Sequence, residues 1–298
     1  MDSFKEIKKY ATIDIGSNAV RLLISNIITI NKSQTISTKN ALVRVPVRLG
    51  QDAFTTGKIS NKNIERLIDA MVSFKLLMKV HKVKKYLAYG TSALRSSSNG
   101  SNIIDLILTK SGLKLEIIDG EKEAELITNN PIFKDKANKK TYCFIDVGGG
   151  STELTLFKNR KVIKSKSFEL GGVRLINGLV LKKTWDLFRN WIVENLNSYN
   201  DIEVIGLGGN INKIFKLSGN KIGTPLSLRK IDSTLSSLEK MSYSDKMLLL
   251  KLNPDRVDVI VPAGKIYQFL LKNINSDKIR VPKIGLADGM VYELLKKS

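Results

Sequence analysis

Two copies of one pattern, about half the chain apart, constrain the fold more than any other feature of the sequence. Each copy is an apolar run that ends in an aspartate, breaks at glycine, and resumes with alternating polar and apolar residues. With Asp14 placed over Asp146 the copies align without gaps, and Gly16 falls on Gly148. Such a pattern is typical of two strands joined by a tight turn. The repeat therefore predicts a duplicated α/β domain.

The second copy has the composition of a phosphate-binding turn. Asp146 is followed by residues that offer backbone amides and hydroxyls, namely Gly148, Gly149, Gly150, Ser151 and Thr152. Glycine lets the backbone take positive φ and lets a ligand approach the amides closely. A carboxylate beside such amides suits a hard divalent cation that bridges to phosphate oxygens. Taken alone, the stretch fits an ordinary glycine-rich hairpin equally well, and the second copy favours the phosphate site.

Two such turns resemble the arrangement of the actin, hexokinase and Hsp70-type ATPase superfamily. The resemblance implies an α/β fold of two actin-like (ribonuclease H-like) domains around a central cleft. Each domain would offer an aspartate and a phosphate-binding turn to the same ligand. We place the boundary near Glu125, which gives a first domain over residues 1–125 and a second over 126–298.

Composition excludes several classes of protein. The 298 residues suffice for two domains with their own cores, and the longest apolar run is too short to span a bilayer. The N-terminus lacks the apolar segment of a signal peptide, so we expect a cytoplasmic protein. The single cysteine, Cys143, lies in an apolar strand and is expected to be a core thiol. His81 is the only histidine, so the sequence gives little support to a catalytic Ser-His pair or to a metal centre built from histidine.

The net charge of +21 should draw polyanions such as polyphosphate, nucleotides or nucleic acid. The alternative is a compositional bias, because lysine, isoleucine and asparagine are all frequent and most lysines would lie on solvated faces. The chain contains no recognised DNA- or RNA-binding module and few interleaved aromatic residues, which argues against nucleic acid. Whether the charge is functional or compositional stays open at this point.

Local patterns place further elements on either side of the turns. Apolar residues recur at helical spacing over 61–79, with Ser60 as N-cap, and 41–49 alternates like a third strand. Near the end of the second half, an apolar strand runs into Gly208 and Gly209 and then into a helix. A helix that starts there directs its first amides and its positive dipole end towards a bound anion.

Seven pieces of sequence, in one order, resemble the exopolyphosphatase / guanosine pentaphosphate phosphohydrolase family. They span nearly the whole chain: Asp14–Asn18 with Arg21, Gly90–Arg95, Ile118–Ala124, Asp146–Glu153, Leu170–Leu175, Gly206–Gly209 and Arg256–Gly264. The resemblance implies a phosphohydrolase that acts on terminal phosphoanhydrides, with the active site complete within two domains. Longer members carry a C-terminal helical extension, and this sequence ends before it.

The resemblance assigns roles to individual residues. Glu123, the glutamate before Ala124, matches the catalytic glutamate of the family and is the candidate base for an attacking water. The alternative for Glu123 is a solvated helix carboxylate, which is our interpretation of Glu125. Arg21 and Arg95 are the candidate phosphate clamps, since arginine grips phosphate oxygens in a bidentate manner. Short polar donors around the same phosphate would come from Ser17, Asn18, Ser151 and Thr152, with the amides of Gly148, Gly149, Gly150, Gly208 and Gly209.

The expected cofactor is Mg²⁺, with Mn²⁺ as a substitute. Its candidate ligands are Asp146, Glu153 and Asp14, acting directly or through water, because Mg²⁺ usually keeps several waters and few carboxylates. An exposed strand residue is the alternative for Glu153.

The sequence departs from the family at two places. Asn210 stands where the family usually has threonine after the third turn, and Ala287 stands where it often has arginine. The loss of that arginine puts in doubt any contact it makes, but not the catalytic centre.

The favoured substrate is inorganic polyphosphate, from which the terminal phosphate would be removed. Guanosine penta- or tetraphosphate is the alternative ligand, and in that case the 5′-phosphate of pppGpp would be removed. A sugar or acetate kinase of the same superfamily is the nearest rival, and the Glu123 motif favours hydrolysis over it. A non-catalytic alarmone-binding sensor is a second rival, against which the intact Glu123 argues. No membrane partner is expected, and a homodimer is a further candidate.

Overall fold

The computed structural model describes residues 6–31, 34–131, 140–159, 161–199, 201–274 and 276–296. These residues form two compact units, one made of Met1–Asn130 with Leu286–Ser298 and the other of Pro131–Gly285. The sequence has a basic stretch over residues 134–140, most of which lies outside the described residues. No helix in the described ranges has the length and apolar character needed to cross a membrane.

The first unit is built on a five-stranded mixed sheet. Its strands are β1 Glu6–Ile15, β2 Val20–Asn31, β3 Gln34–Val45, β4 Lys85–Gly90 and β5 Glu116–Ile117, in the order β3-β2-β1-β4-β5. The first three strands are antiparallel neighbours, whereas β4 and β5 run parallel to β1. Strand β3 begins earlier than the predicted 41–49 and ends before Pro46, because proline has no N–H to donate to a ladder.

Five helices of this unit precede the second sheet. They are α1 Leu49–Thr55, α2 Asn61–Val80, α3 Ser92–Ser96, α4 Gly100–Ser111 and α5 Gly120–Thr128. Helix α2 matches the predicted span and buries Leu67, Met71 and Phe74 against the sheet core. The Ser60 side chain accepts from the Asn63 N–H at 3.4 Å, as predicted for its N-cap.

The second unit repeats this arrangement with one added strand. Its strands are β6 Thr141–Val147, β7 Thr152–Lys158, β8 Lys161–Phe168, β9 Ile202–Leu207, β10 Leu226–Ser227 and β11 Lys278–Arg280, in the order β10-β11-β9-β6-β7-β8. Strands β6, β7 and β8 are antiparallel, and β9 and β11 continue parallel to β6. Each strand of the first sheet thus has a counterpart here, which confirms the predicted α/β class and the duplication.

The helices of the second unit enclose its core. They are α6 Gly172–Ile176, α7 Lys182–Leu196, α8 Gly209–Leu217, α9 Leu228–Lys240, α10 Tyr243–Leu248, α11 Pro254–Val257 and α12 Ile260–Lys272. Phe168 on β8 and Phe188 on α7 meet edge to face with ring centroids 5.0 Å apart. Cys143 is fully buried in this core, and burial raises the pKa of its thiol to about 12. It is therefore the inert core thiol that the sequence predicts.

The last helix, α13 Leu286–Lys296, packs with the first unit. Leu286 and Met290 join a cluster with Tyr89 and Leu126, and Val291 belongs to a second cluster on the same sheet. The prediction assigned 126–298 to a single domain, whereas these contacts return the end of the chain to the first unit. The apolar face of α13 is the physical reason, because it is buried against β1 and β4.

Candidate functional site

The same hydrogen bond closes both glycine turns. In the first turn the Gly16 N–H donates to the Ala19 carbonyl at 3.1 Å. In the second turn the Gly148 N–H donates to the Ser151 carbonyl at 2.9 Å. The gap-free alignment of the two copies pairs these same residues, so the repeat extends to the hydrogen bonding of the turns.

In the second turn, the carbonyl groups face the start of helix α6. The Gly148 carbonyl accepts from the Gly172 N–H at 3.0 Å, and the Gly149 carbonyl accepts from the Val173 N–H at 2.8 Å. The peptide bonds between described residues are trans, and in a trans peptide the C=O and the following N–H point in opposite directions. The N–H groups of Gly149 and Gly150 therefore point away from α6, which is the orientation an anion-binding turn needs.

The first turn is held in the same way by the start of helix α1. The Ser17 carbonyl accepts from the Gly50 N–H at 2.7 Å, and the Asn18 carbonyl accepts from the Arg48 N–H at 3.1 Å. By the same peptide geometry, the N–H groups of Asn18 and Ala19 point away from α1. Both units thus carry a turn whose carbonyls are satisfied internally and whose amides face outwards.

Three residues to which the sequence-based prediction gives no role allow this close approach of helix and turn. A Cβ on Gly50 would lie 2.8 Å from the Ser17 Cβ, and a Cβ on Gly171 would overlap the Gly149 carbonyl. Arg48 adopts a left-handed backbone conformation, with φ of 60°, at the start of α1. A leucine–glycine pair precedes or begins the helix in both halves, and this shared pair is the signal that the sequence offers.

The residue opposite the aspartate differs between the two turns. Asp14 lies opposite Arg21 in the β1–β2 register, and the two form an ion pair of 2.8 Å. Asp146 lies opposite Glu153 in the β6–β7 register. Directly opposite residues of antiparallel strands project from the same face. The second turn therefore brings two carboxylates together where the first has a carboxylate and a guanidinium.

The second turn is the better candidate for a metal ion. Glu153 is only 6% exposed and accepts from the Ser167 hydroxyl at 2.8 Å. Within the described ranges, no group of three or more His, Cys, Asp or Glu side chains is arranged to hold a metal. Asp146 and Glu153 therefore do not fit a metal held by protein alone. They fit Mg²⁺, which uses one or two carboxylates and takes its other ligands from water and phosphate.

The third glycine turn lies beside Asp146. Gly208 has φ of 96°, and a Cβ at this position would lie 2.7 Å from the Asp146 Oδ1. The Gly209 carbonyl accepts from the Arg256 Nη1 at 3.0 Å. The structure thus brings Asp146 and Gly208 together, as the family resemblance implies, and only glycine fits at 208.

Three cations lie close together at helix α8. The pKa of Lys213 is lowered first by burial and then by its neighbours Lys216 on the same helix and Arg256 on α11, while its Nζ donates to the Leu250 carbonyl at 3.2 Å. The charges of these three side chains make this part of the second unit suited to an anion.

In the first unit, Arg95 contacts the candidate base. Arg95 lies in the last turn of the short helix α3, and Glu123 lies in the first turn of α5. The Arg95 Nη1 donates to the Ile118 carbonyl at 2.5 Å and to the Glu123 Oε1 at 3.2 Å. The Glu123 side chain is 13% exposed, so it is not the solvated helix carboxylate of the alternative interpretation. Glu125 is that carboxylate, since it is half exposed and pairs with Lys122.

The segment that carries Arg95 is also joined to the first glycine turn. The hydroxyls of Ser17 and Ser92 are hydrogen-bonded at 2.8 Å, and the Thr91 N–H donates to the Ile15 carbonyl at 3.1 Å. The structure therefore brings Ser17 into the same part of the first unit as Arg95. The distance of 75 residues between the two serines explains why no sequence pattern shows this contact.

Thr152 differs from its predicted role as a phosphate donor. Its side chain is fully buried, and its hydroxyl donates to the Leu170 carbonyl at 2.5 Å. Because a hydroxyl has one proton to donate, that proton is used within the unit. Thr152 fixes the segment before α6 to strand β7, and the outward-facing donors of this turn are the amides of Gly149 and Gly150.

The chain is similar to known proteins in its sequence and in its structure. The family model described as the Ppx/GppA phosphatase family matches residues 34–298. The bifunctional 3-dehydroquinate synthase/phosphatase of Fusobacterium nucleatum is 26% identical over 98% of this chain, which spans about half (47%) of that protein. Exopolyphosphatase 2 of Mycobacterium tuberculosis is 29% identical, covering 97% of this chain and 99% of the relative. The crystal structure of an exopolyphosphatase from Cytophaga hutchinsonii matches with a TM-score of 0.82 at 26% identity, covering 97% of this chain and 98% of that one.

Proposed function

Because the chain belongs to the Ppx/GppA phosphatase family, we propose that it is an exopolyphosphatase, which removes the terminal phosphate of inorganic polyphosphate. The observation that carries the proposal is the second glycine turn, where the outward amides of Gly149 and Gly150 lie next to the carboxylates of Asp146 and Glu153. That arrangement suits a phosphate with its bound cation. The Mycobacterium tuberculosis relative named exopolyphosphatase, which matches over nearly its whole length, supports polyphosphate as the substrate.

Asp146 and Glu153 are the residues that would hold Mg²⁺, with Mn²⁺ as a substitute. When bound, the ion supplies positive charge to the phosphate oxygens on which negative charge develops. The comparison between the turns supports this assignment, because Arg21 places a cation opposite Asp14 and the equivalent position in the second unit is Glu153. Asp14, the third predicted ligand, is already paired with that arginine.

Glu123 is the proposed general base. In the reaction a water oxygen forms a bond to the terminal phosphorus, the bridging P–O bond breaks, and the water loses a proton. Glu123 takes this proton, and Arg95 fixes the direction of its carboxylate while also binding the Ile118 carbonyl. General-base catalysis of this kind contributes on the order of 10²–10⁴-fold to the rate.

The positive field supports a polyanionic substrate. The chain carries a net charge of +21, and Lys213 and Lys216 lie on the helix that follows the third glycine turn, near Arg256 of α11. Such a field raises the local concentration of a polyanion and its rate of association. The amides of Gly149 and Gly150 give the terminal phosphate specific donors that the field alone lacks.

The 5′-phosphate of pppGpp is the second candidate substrate, because it is a terminal phosphoanhydride with the same chemistry. A superfamily kinase would instead pass the phosphate to a second substrate. An alarmone sensor would bind without turnover. The partly buried contact between Arg95 and Glu123 favours hydrolysis over both, since neither a kinase nor a sensor needs an oriented base for water.

The test is an assay of the pure protein with Mg²⁺ and either polyphosphate of defined length or pppGpp. We expect phosphate release from polyphosphate, no transfer of phosphate to ADP, acetate or glucose, and loss of activity in EDTA that Mg²⁺ restores. Release from pppGpp alone would make the nucleotide the substrate, and transfer to an acceptor would make the protein a kinase. Full activity in EDTA would contradict the metal site.

A further inference from the structure

One tyrosine hydroxyl joins the ends of two strands in the second unit. Tyr267 lies on α12, and its side chain is completely buried. Its hydroxyl accepts from the Val147 N–H at 3.3 Å and donates to the Leu207 carbonyl at 2.5 Å. Val147 is the last residue of β6 and Leu207 the last residue of β9. A single side chain of the core therefore bridges the two strands where both end.

The hydroxyl binds the two strands where their ladder stops. Strands β6 and β9 are parallel and pair up to Asp146 opposite Leu207. The register ends at that pair, one residue before the end of β6. The Val147 N–H and the Leu207 carbonyl both contact the phenol oxygen there. The phenol therefore holds the two strand ends together at the point where the ladder stops.

The bridge formed by the phenol lies next to the proposed metal ligand. Asp146 immediately precedes Val147, and Gly208 immediately follows Leu207. A Cβ on Gly208 would lie 2.7 Å from the Asp146 Oδ1 and 3.6 Å from the Tyr267 hydroxyl oxygen. The carboxylate, the glycine turn and the phenol therefore converge on one place. Burial first, and then the carboxylates of Asp146 and Glu153, raise the pKa of Tyr267 well above its ordinary value.

We infer that Tyr267 is a positioning residue, whose hydroxyl fixes the ends of β6 and β9 and thereby aims the Asp146 carboxylate at the cation. The inference rests on the proposed function in one respect, since it takes Asp146 as a metal ligand. Mg²⁺ demands near-ideal octahedral geometry, whereas Ca²⁺ tolerates flexible coordination. A site whose strand ends are no longer fixed by the hydroxyl should therefore lose Mg²⁺ more than it loses Ca²⁺.

The test compares Tyr267→Phe with Tyr86→Phe, which removes a hydroxyl that accepts from the Lys114 N–H at 2.9 Å in the first unit. Each folded protein is titrated with Mn²⁺ in the presence of imidodiphosphate, and bound Mn²⁺ is measured by electron paramagnetic resonance, with Mg²⁺ and Ca²⁺ as competitors. Loss of a group that orients a metal ligand weakens metal binding about tenfold or more. We expect that loss for Tyr267→Phe, with Mg²⁺ becoming a poorer competitor relative to Ca²⁺, and the wild-type affinity for Tyr86→Phe.

Wild-type Mn²⁺ affinity in Tyr267→Phe, together with an unchanged order of competitors, would overturn the inference and leave the proposed function intact. Absence of Mn²⁺ binding in the wild-type protein would contradict the proposed metal site itself, and the inference with it. If Tyr267→Phe does not fold, p-aminophenylalanine at position 267 replaces it, because its amine still reaches both backbone groups. We expect this variant to bind Mn²⁺ as the wild type does, and a folded variant that has lost Mn²⁺ binding would overturn the inference.

Discussion

Positions 21 and 153 occupy equivalent places opposite the aspartates of the two turns, and they differ in the sign of their charge. Arg21 neutralises Asp14 within the first unit, at a distance of 2.8 Å. Glu153 instead adds a second carboxylate to Asp146 on the same face of its sheet. Like charges directly opposite each other destabilise a strand pair, so the second turn gains stability when a cation binds. This difference is the residue-level reason to place the metal in the second unit.

The change Glu153→Arg would give the second turn the residue pair of the first. We expect the protein to fold, because the first unit already accommodates an aspartate opposite an arginine. We expect Mn²⁺ binding to fall by more than about tenfold and phosphate release with it, since the guanidinium takes the place of the ion. Circular dichroism checks the fold, and electron paramagnetic resonance checks the bound Mn²⁺.

The matched control is Glu194→Arg, which makes the same change of charge at an exposed position on α7. This variant should bind Mn²⁺ as the wild type does. Unchanged Mn²⁺ binding in Glu153→Arg would show that Glu153 is not a ligand.

Sequence patterns predict the identity of the site residues better than their contacts. The glycine turns follow from local patterns, because glycine and strand periodicity act over a few residues. That Arg95 holds Glu123 could not be predicted, because the two are 28 residues apart and meet only through tertiary folding. Arg21 and Arg95 are predicted to bind phosphate. In the structure, each of them pairs with a carboxylate of the first unit.

At the scale of elements, the last helix supports the helix that carries the proposed base. A Cβ on Gly289 of α13 would overlap the Leu126 carbonyl of α5, so the two helices touch backbone to backbone. The Ala287 carbonyl accepts from the buried Thr12 hydroxyl at 3.0 Å, which ties α13 to β1 as well. Ala287, where the family often has arginine, is buried in that contact, and nothing in the structure explains the substitution.

The change Gly289→Ala should push α5 away from α13 and displace Glu123. Overpacking of a close contact costs about 1–3 kcal/mol of stability. We expect kcat to fall while the KM for polyphosphate stays near the wild-type value, because the base moves and the phosphate-binding turns do not. Thermal unfolding and steady-state kinetics measure the two effects separately.

Gly285→Ala is the control, since a Cβ there meets nothing within 4 Å and the residue lies just before α13. It should leave both stability and kcat unchanged. A Gly289→Ala protein that loses stability but keeps the wild-type kcat would show that α13 has no part in placing the base.

Elements with strong local patterns are predicted well, and long-range assignments are not. Helix α2 matches its predicted span because its apolar spacing and its N-cap are both local signals. Strand β5 covers only Glu116–Ile117, since a short strand depends on pairing with its neighbour β4. The return of α13 to the first unit depends on packing against strands far away in sequence, which periodicity does not reveal.

At the scale of the whole molecule, duplication is the feature that the sequence predicts most completely. Both units have three antiparallel strands followed by parallel ones, and both close their glycine turn with the same hydrogen bond. The repeat of one local pattern was sufficient for this prediction, because each copy folds by the same rules. The two units differ in the added strand β10 and in the residue that lies opposite each aspartate.

The cations that make up the large positive charge differ in their distance from the glycine turns. Lys85 is the first residue of β4, and Lys140 directly precedes β6. Both strands lead towards the turns, so each lysine lies at the end of its strand that is away from them. At about 3.3 Å per residue, a strand of this length separates them from the turns by roughly 15–20 Å. Lys140 also pairs with Glu203 at 3.3 Å. In the second unit, Lys213 follows the third glycine turn on α8, and the Arg256 Nη1 donates to the Gly209 carbonyl at 3.0 Å.

The central claim is that this chain hydrolyses terminal phosphoanhydrides with Glu123 as the base. The measurement that tests it most directly is the turnover of polyphosphate by Glu123→Gln, with Glu125→Gln, an exposed glutamate of the same helix, as its control. We predict that Glu123→Gln binds polyphosphate as the wild type does while its turnover falls by about 10²-fold or more, and that Glu125→Gln keeps its turnover. A Glu123→Gln protein that retains more than about a tenth of the wild-type turnover would contradict the account, because a general base contributes at least that much.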